Sequence, residues 1–437
     1  MKKILLIGQM TDLSGYGSAA RCYLDNLIEL EEEGLIELKI LNISFEKDIF
    51  ISEEYKEKIK KRSLTSQIKY DCGYCTHEED TQSIQDYIDK KDYEAIFCMT
   101  SDMLAFGKDD GKSVFYFELP DKTHPEVWGY RFNTLQIAIN AQAVHQCIVW
   151  ETVTVPELWK SAINNDMINI KTLICGCDWN NKSFESLGKK NVTIPYSIDF
   201  ELGEDEKYYE KLKKATKDKF VFSSVFQWSE RKGFDILIKA FATEFASNPD
   251  VCLILKTYSS KANGDAEKQD EKTLFKEVIK ALTAELSHYT LNYAPEYKII
   301  VINDLLTKKE INSIYKVSDA FVLPTRGEGF CLPAVEALNY EKAVILPDIG
   351  GHLDYLPENN PFSIESRMEY SEKFRHPLWS SIHSLWVDPS IKSLREKIRL
   401  AYKDRDLLKE TGKNQSNFMK KHLSKDRCTK LFKEILL

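Results

Sequence analysis

Short runs in which every position is apolar alternate along the chain with stretches whose apolar positions recur every three or four residues. The first run, Ile4-Leu5-Leu6-Ile7, closes at Gly8; a glycine-rich segment, Ser14-Gly15-Tyr16-Gly17-Ser18, follows, and a helical pattern extends over 19–33. Strand, glycine loop and helix form the opening unit of a doubly wound sheet. Further apolar runs predict strands at 37–43, 95–99, 114–117, 146–150 and 171–175. Apolar on both faces, they suit a parallel sheet covered by helices.

A polar, charged stretch at 199–219 breaks this rhythm, and the alternation then restarts. Strands are predicted at 220–226, 251–256, 297–302, 320–323 and 343–346, with helices at 233–245, 309–317 and 333–340. The segment KANGDAEKQDEK at 261–272 reads as a polar surface insertion ahead of a helix ending near His288, and 393–437 as amphipathic helix. The pattern therefore predicts an α/β protein of two Rossmann-like domains, 1–198 and 199–413. No repeat of solenoid period is present.

Composition narrows the choice of function. With 437 residues, 43% of them hydrophobic, the chain is long enough for each domain to bury its own core. A formal net charge of -8 argues against a general affinity for nucleic acid, which needs clustered Lys and Arg. The densest cationic run, EYKEKIKKR at 54–62, carries Glu54 and Glu57 and reads as a solvated helix face. The N-terminal apolar run stops at Gly8, and no stretch approaches the ~20 apolar residues of a membrane span. A cytoplasmic protein is expected, with peripheral attachment at the inner face of a membrane left open. Ten cysteines, mostly inside apolar runs, fit a reduced compartment.

The chemistry concentrates in DAFVLPTRGEGFCLPAVEALNYEKAVI at 319–345. A strand ends at Pro324, a glycine-bracketed loop presents Glu328, and a helix is expected from Pro333, with Glu336 in its first turn. The amides of Phe330, Cys331 and Leu332 then lack intrahelical partners, which favours an anion such as a diphosphate. The plainer alternative makes Glu328 a dipole-compensating acid and Glu336 a solvated surface residue.

The run EGFCLPAVE resembles the E-x7-E motif of the family 4 retaining glycosyltransferases with the GT-B fold. The resemblance implies that Glu328 faces the donor sugar, that Glu336 binds the ribose hydroxyls, and that the segment Gly329, Phe330, Cys331 and Leu332 holds sugar hydroxyls and phosphate. It also implies two Rossmann-like domains facing across a cleft, with a terminal helix at 414–437 returning to the first.

Two further clusters fit. FQWSERKGF at 226–234 places Arg231 and Lys232 beside Gly233 at an expected helix start, where cations oppose the helix dipole and require a reason. Neutralising a leaving diphosphate supplies one. Lys232 matches the family lysine, but Gln227 stands where the family has arginine, so Arg231 is assigned the second charge. Gly15 and Gly17 match the family's glycine loop after the first strand, which faces the donor phosphate. TIPYSID at 193–199, IGGH at 349–352 and WVDP at 386–389 resemble other family segments. Glu151, at a strand end where family members carry histidine, is a candidate contact for donor or acceptor.

Other patterns carry less. Cys72 and Cys75 with His77, and Cys175 with Cys177, do not make a four-ligand zinc set by spacing. Asp404-Arg405-Asp406 imitates a metal-binding Asp-x-Asp but sits in charged helix. No G-x-G-x-x-G or Walker lysine supports a dinucleotide oxidoreductase or a P-loop NTPase. The resulting expectation is a retaining, metal-independent hexosyltransferase without cofactor. Its donor is a nucleotide sugar, GDP-mannose or a UDP-hexose, and its acceptor a glycan, lipid-linked or protein molecule. The alternatives are a degenerate nucleotide-sugar-binding scaffold and a GT-B epimerase or phosphorylase.

Overall fold

A computed structural model of the chain describes residues 1–12, 15–43, 51–65, 78–98, 107–109, 112–114, 136–197, 203–258, 275–280, 297–370 and 384–437. The chain divides into two compact units, Met1–Asp199 joined by Leu423–Leu437, and Phe200–Arg375 joined by Ile382–His422.

In the first unit, β1 (Lys2–Gly8), β2 (Ile36–Asn42), β3 (Glu94–Cys98), β6 (Ala143–Ile148), β7 (Ile170–Cys175) and β8 (Lys190–Thr193) form a sheet of order β2-β1-β3-β6-β7-β8. Its pairs are parallel throughout. Between β3 and β6 lies a short antiparallel pair, β4 (Gly107–Asp109) and β5 (Lys112–Val114). The expected strand at 114–117 falls outside the described residues beyond Val114, as do Cys72, Cys75 and His77, and 261–272. Helices α1 (Gly15–Glu32), α2 (Glu53–Arg62), α3 (Glu78–Ile88), α4 (Glu157–Ile163) and α5 (Asp178–Phe184) accompany this sheet. Ile4 to Ile7 are fully buried, as a strand covered on both faces requires.

The glycine segment is not a loop in the structure. Gly15 and Gly17 lie in the first turn of α1, which starts four residues earlier than the helical pattern at Ala19. A Cβ on Gly17 would stand 2.1 Å from the Asp12 carbonyl oxygen, so glycine lets the helix close directly onto the end of β1. The Arg21 guanidinium donates to the carbonyls of Met10 and Asp12, both at 2.8 Å, and fixes the same junction. The cationic run at 54–62 is only partly a solvated face: Arg62 is buried and donates to Glu31 at 2.5 Å.

The second unit repeats the plan. Strands β9 (Phe220–Gln227), β10 (Val251–Tyr258), β11 (Lys298–Ile302), β12 (Ala320–Val322) and β13 (Ala343–Ile345) form a parallel sheet of order β11-β10-β9-β12-β13. β14 (Ser366–Tyr370) and β15 (Leu385–Pro389) pair antiparallel beside it. The helices are α6 (Glu206–Thr216), α7 (Phe234–Glu244), α8 (Lys308–Val317), α9 (Leu332–Asn339), α10 (Ile391–Lys403) and α11 (Arg405–His422). A capping box between Thr307 and Glu310 sets the start of α8. The Asp404-Arg405-Asp406 imitation is structural: Asp404 accepts from the Leu407 amide, and the Arg405 guanidinium lies 3.9 Å from the Phe220 ring centroid.

The last helix, α12 (Lys425–Leu436), packs on α1 of the first unit. Phe432 meets Tyr23 edge-on at 5.0 Å between centroids, and Thr429 donates its hydroxyl toward Asn26 Oδ1 at 3.0 Å and Glu29 Oε2 at 2.9 Å. Asn26 in turn donates to Ser197 at 2.6 Å, which ties this helix pair to the end of the first sheet's chain. Phe432 is fully buried, so Phe432→Ala is expected to destabilise the first unit by ~3–5 kcal/mol, read as a lowered urea midpoint.

Candidate active site

All five strands of the second sheet run the same way, so the segments following β9 and β12 emerge at one edge, the side on which open α/β sheets bind ligands. After β9 the chain makes a 3-10 turn, Glu230–Lys232, ended by Gly233 at φ +68°. A Cβ at Gly233 would fall 1.9 Å from the Pro324 carbonyl oxygen, so the two segments touch backbone to backbone. The cations therefore stand on a separate turn, and α7 begins only at Phe234.

The segment after β12 carries Glu328, which is 6% exposed. Its Oε1 accepts from Lys232 Nζ, and Arg231 Nη1 lies 4.0 Å from the same oxygen while donating to the Gly327 carbonyl at 2.6 Å. Burial pushes the Glu328 carboxyl up, but Lys232 and Arg231 outweigh it and hold it below the usual glutamate range. Glu328 is thus a buried, paired carboxylate rather than a solvent-facing acid compensating the helix dipole.

Helix α9 starts at Leu332, one residue before the expected Pro333, because Cys331 caps it in the left-handed conformation at φ +67°. The fully buried Tyr355 hydroxyl bonds the carbonyls of Phe330 at 2.8 Å and Cys331 at 3.1 Å, and Gly351 N–H donates to the Glu328 carbonyl at 3.1 Å. A turn at Gly351–Tyr355 therefore braces the backbone of Glu328, Phe330 and Cys331. His352, within it, is buried and donates through Nε2–H to the Pro347 carbonyl, 2.6 Å away; burial lowers its pKa.

Glu336 is not a solvated surface residue. Its Oε2 accepts from the buried Tyr315 hydroxyl at 2.7 Å, and its Oε1 pairs with Lys308 at the start of α8. Glu328 and Glu336 thus face different partners, and Glu336, expected in the first turn of α9, lies just past it because the helix starts one residue early. Glu151 and the glycines Gly15 and Gly17 belong to the first unit. Glu151 is half-buried in the bend after β6, where Asn180 bonds both backbone groups of Trp150. Gln227 ends β9, half-buried. Cys175 and Cys177 are buried free thiols, and no group of three or more His, Cys, Asp or Glu among the described residues could hold a metal ion.

Sequence reasoning gave no role to several residues that build this site. Arg326 donates to both oxygens of Asp235, at 2.8 and 2.7 Å, and to the Glu230 carbonyl at 2.6 Å; Thr325, Tyr315, Tyr355 and Lys308 also hold the motif. The only sequence signal for Arg326 is an arginine two positions before a buried motif acid.

Residues 204–418 match the model of the family described as glycosyl transferases group 1. The matched stretch lies within the second unit and is similar to the domain that defines that family. No curated protein matches the sequence. Among solved structures, the sucrose-phosphate synthase from Thermosynechococcus elongatus is similar over 100% of this chain and 98% of its own, at 14% identity and a TM-score of 0.61. Anabaena HepE in complex with UDP-glucose is similar over 100% and 99%, at 13% identity and 0.58. The UDP-forming trehalose-phosphate synthase from Burkholderia xenovorans, in complex with glucose-6-phosphate, is similar over the full length of both chains at 9% identity and 0.58. These likenesses extend over both units and give the chain the two-domain GT-B fold. The family match over 204–418 points to glycosyl transfer as the activity to be tested. No helix among the described residues is long and apolar enough to cross a membrane.

Proposed function

We propose that the chain is a retaining glycosyltransferase of the family 4 type, moving a hexose-class sugar from a nucleoside-diphosphate sugar to a glycan, lipid-linked or protein acceptor in the cytoplasm. The observation that carries this reading is the cluster of the buried Glu328 with the half-buried Lys232 and Arg231 at the strand ends of the second unit. As the bond between sugar and diphosphate breaks, negative charge grows on the leaving group, and two fixed cations stabilise it most where water is excluded. Glu328, held ionised beside them, stabilises the positive charge developing on the sugar and orients it. With the charge of the leaving group met by Arg231 and Lys232, turnover proceeds without a divalent cation. The acceptor is assigned to the first unit, with Glu151 as a candidate contact.

Gln227 was the one reason for a non-catalytic reading. Arg231, 4.0 Å from Glu328, supplies the charge that this position lacks. UDP-linked donors are tested first, since the similar structures named above include a UDP-glucose complex and a UDP-forming synthase, and GDP-mannose next. The experiment incubates the protein with a panel of nucleotide sugars, with and without EDTA, and follows nucleotide release and the anomeric coupling of the product. Absence of binding and release with every donor sinks the transferase reading; an inverted product sinks retention, and loss of release in EDTA sinks metal independence.

Glu336 is assigned to the ribose hydroxyls. Glu336→Gln keeps the Tyr315 contact and removes a charge-assisted acceptor, so the donor KM is expected to rise by ~10-fold with a smaller change in kcat, in steady-state kinetics.

A further inference from the structure

We propose that Arg326 is a positioning residue for the donor site, fixing the turn that carries Arg231 and Lys232 so that both cations face Glu328. This rests on reading that cluster as the diphosphate site. Arg231 and Lys232 stand on a turn of three residues whose own backbone bonds, Lys232 N–H to the Ser229 carbonyl and Gly233 N–H to the Glu230 carbonyl at 3.0 Å each, fix its shape but not its placement against the Glu328 loop. Two adjacent long cations repel each other and gain hydration by swinging outward. Lys232 reaches Glu328, and Arg231 the Gly327 carbonyl, only if the turn is held against the loop that carries those acceptors.

Arg326 makes the required connections. Its amide donates to the Arg231 carbonyl at 2.6 Å, and its guanidinium donates to the Glu230 carbonyl at 2.6 Å. The same guanidinium forks onto Asp235 in the first turn of α7, at 2.8 and 2.7 Å. It thus grips the chain on both sides of Gly233. On its own side it stands two residues before Glu328, and its carbonyl accepts from Val387 of β15 at 2.9 Å. One residue therefore couples the loop of the acid to the turn of the cations. Thr325 adds a hydroxyl contact to the Arg231 carbonyl at 3.2 Å. The Arg326 side chain is 12% exposed, and burial of the Asp235 carboxyl is outweighed by Arg326, which holds that carboxyl below its usual range. With its guanidinium committed to Glu230 and Asp235, Arg326 acts through Arg231 and Lys232 rather than on the substrate.

The test compares wild type with Arg326→Lys, Arg326→Ala and Asp235→Asn. Lysine keeps the charge but cannot make the planar fork to a carboxylate and a carbonyl together. Arg326→Ala is expected to lose ~10²-fold in kcat for donor turnover through misplacement of the cations, with Arg326→Lys and Asp235→Asn intermediate. Millimolar guanidinium is expected to restore part of the Arg326→Ala activity, which a general loss of folding does not permit. A second readout is independent of turnover: the Glu328 carboxyl, labelled with ¹³C and assigned by its absence in Glu328→Gln, titrates below ordinary glutamate in wild type and moves up in Arg326→Ala. Wild-type kcat in Arg326→Ala, or an unmoved Glu328 titration in both Arg326→Ala and Asp235→Asn, overturns the proposal. If wild type itself releases no nucleotide, the donor reading fails separately, and the carboxyl titration still decides whether Arg326 positions the cations.

Discussion

Glu328→Gln is expected to cut donor turnover by ~10²–10³-fold while leaving a folded protein, because it removes the charge that the proposed mechanism sets against the donor sugar and keeps the shape of the side chain. Glutamine fits the same buried space. Lys232, 13% exposed, can turn to water once its partner is neutral. The reciprocal change is harsher in a different way. Lys232→Met leaves Glu328 buried without its hydrogen-bonded cation, Arg231 standing 4.0 Å away, and breaking a buried ion pair from one side costs ~3–5 kcal/mol. Turnover is lost in both variants, but only Lys232→Met lowers the urea midpoint strongly. The pH dependence follows from the depressed Glu328 carboxyl. Its pairing contributes stability above the range in which the unfolded glutamate titrates, and that contribution is lost as pH falls through the lower folded value. Removing Lys232 leaves burial less opposed, so the carboxyl titrates higher and the acid side of the stability profile moves up in pH. Equal midpoints for the two variants, or full turnover by Glu328→Gln, contradict these roles.

The second large effect is expected at Gly233. Its φ of +68° costs any residue with a Cβ, and here the added atom also falls 1.9 Å from the Pro324 carbonyl. The oxygen belongs to backbone at the end of β12, which cannot retreat without shifting the loop that carries Arg326 and Glu328. Gly233→Ala is therefore expected to destabilise the second unit by more than ~3 kcal/mol and to separate the cations from Glu328. Urea unfolding read by the fluorescence of Trp228, which stacks on Phe234 at 4.2 Å beside the turn, reports the change. A midpoint within error of wild type shows that the two backbones can move apart freely.

Much of this was legible in the order of residues. Ile4 to Ile7 and 251–256 read as buried strands because parallel sheets bury both faces, and the structure has them in β1 and β10. Glu328, Lys232 and Arg231 stand out by residue type beside glycines and helix starts, and they meet in space although Lys232 and Glu328 stand 96 positions apart. Element ends were read less well. Helix α9 starts at Leu332 because Cys331 adopts a left-handed cap that residue type does not announce, and α1 swallows the glycine segment because Gly17 fits against the Asp12 carbonyl. Both depend on where a second piece of backbone lies.

The sequence by itself determined the alternation of strand and helix in each half and which charged residues stand beside which glycines, since periodicity and turn chemistry are local properties. Only the tertiary structure decided that Glu328 is buried and ion-paired, that Glu336 answers to Tyr315 and Lys308, and that Arg326 joins the acid's loop to the cations' turn. Those outcomes depend on distances between segments far apart in the chain, where burial and Coulomb attraction act on whatever the fold brings together.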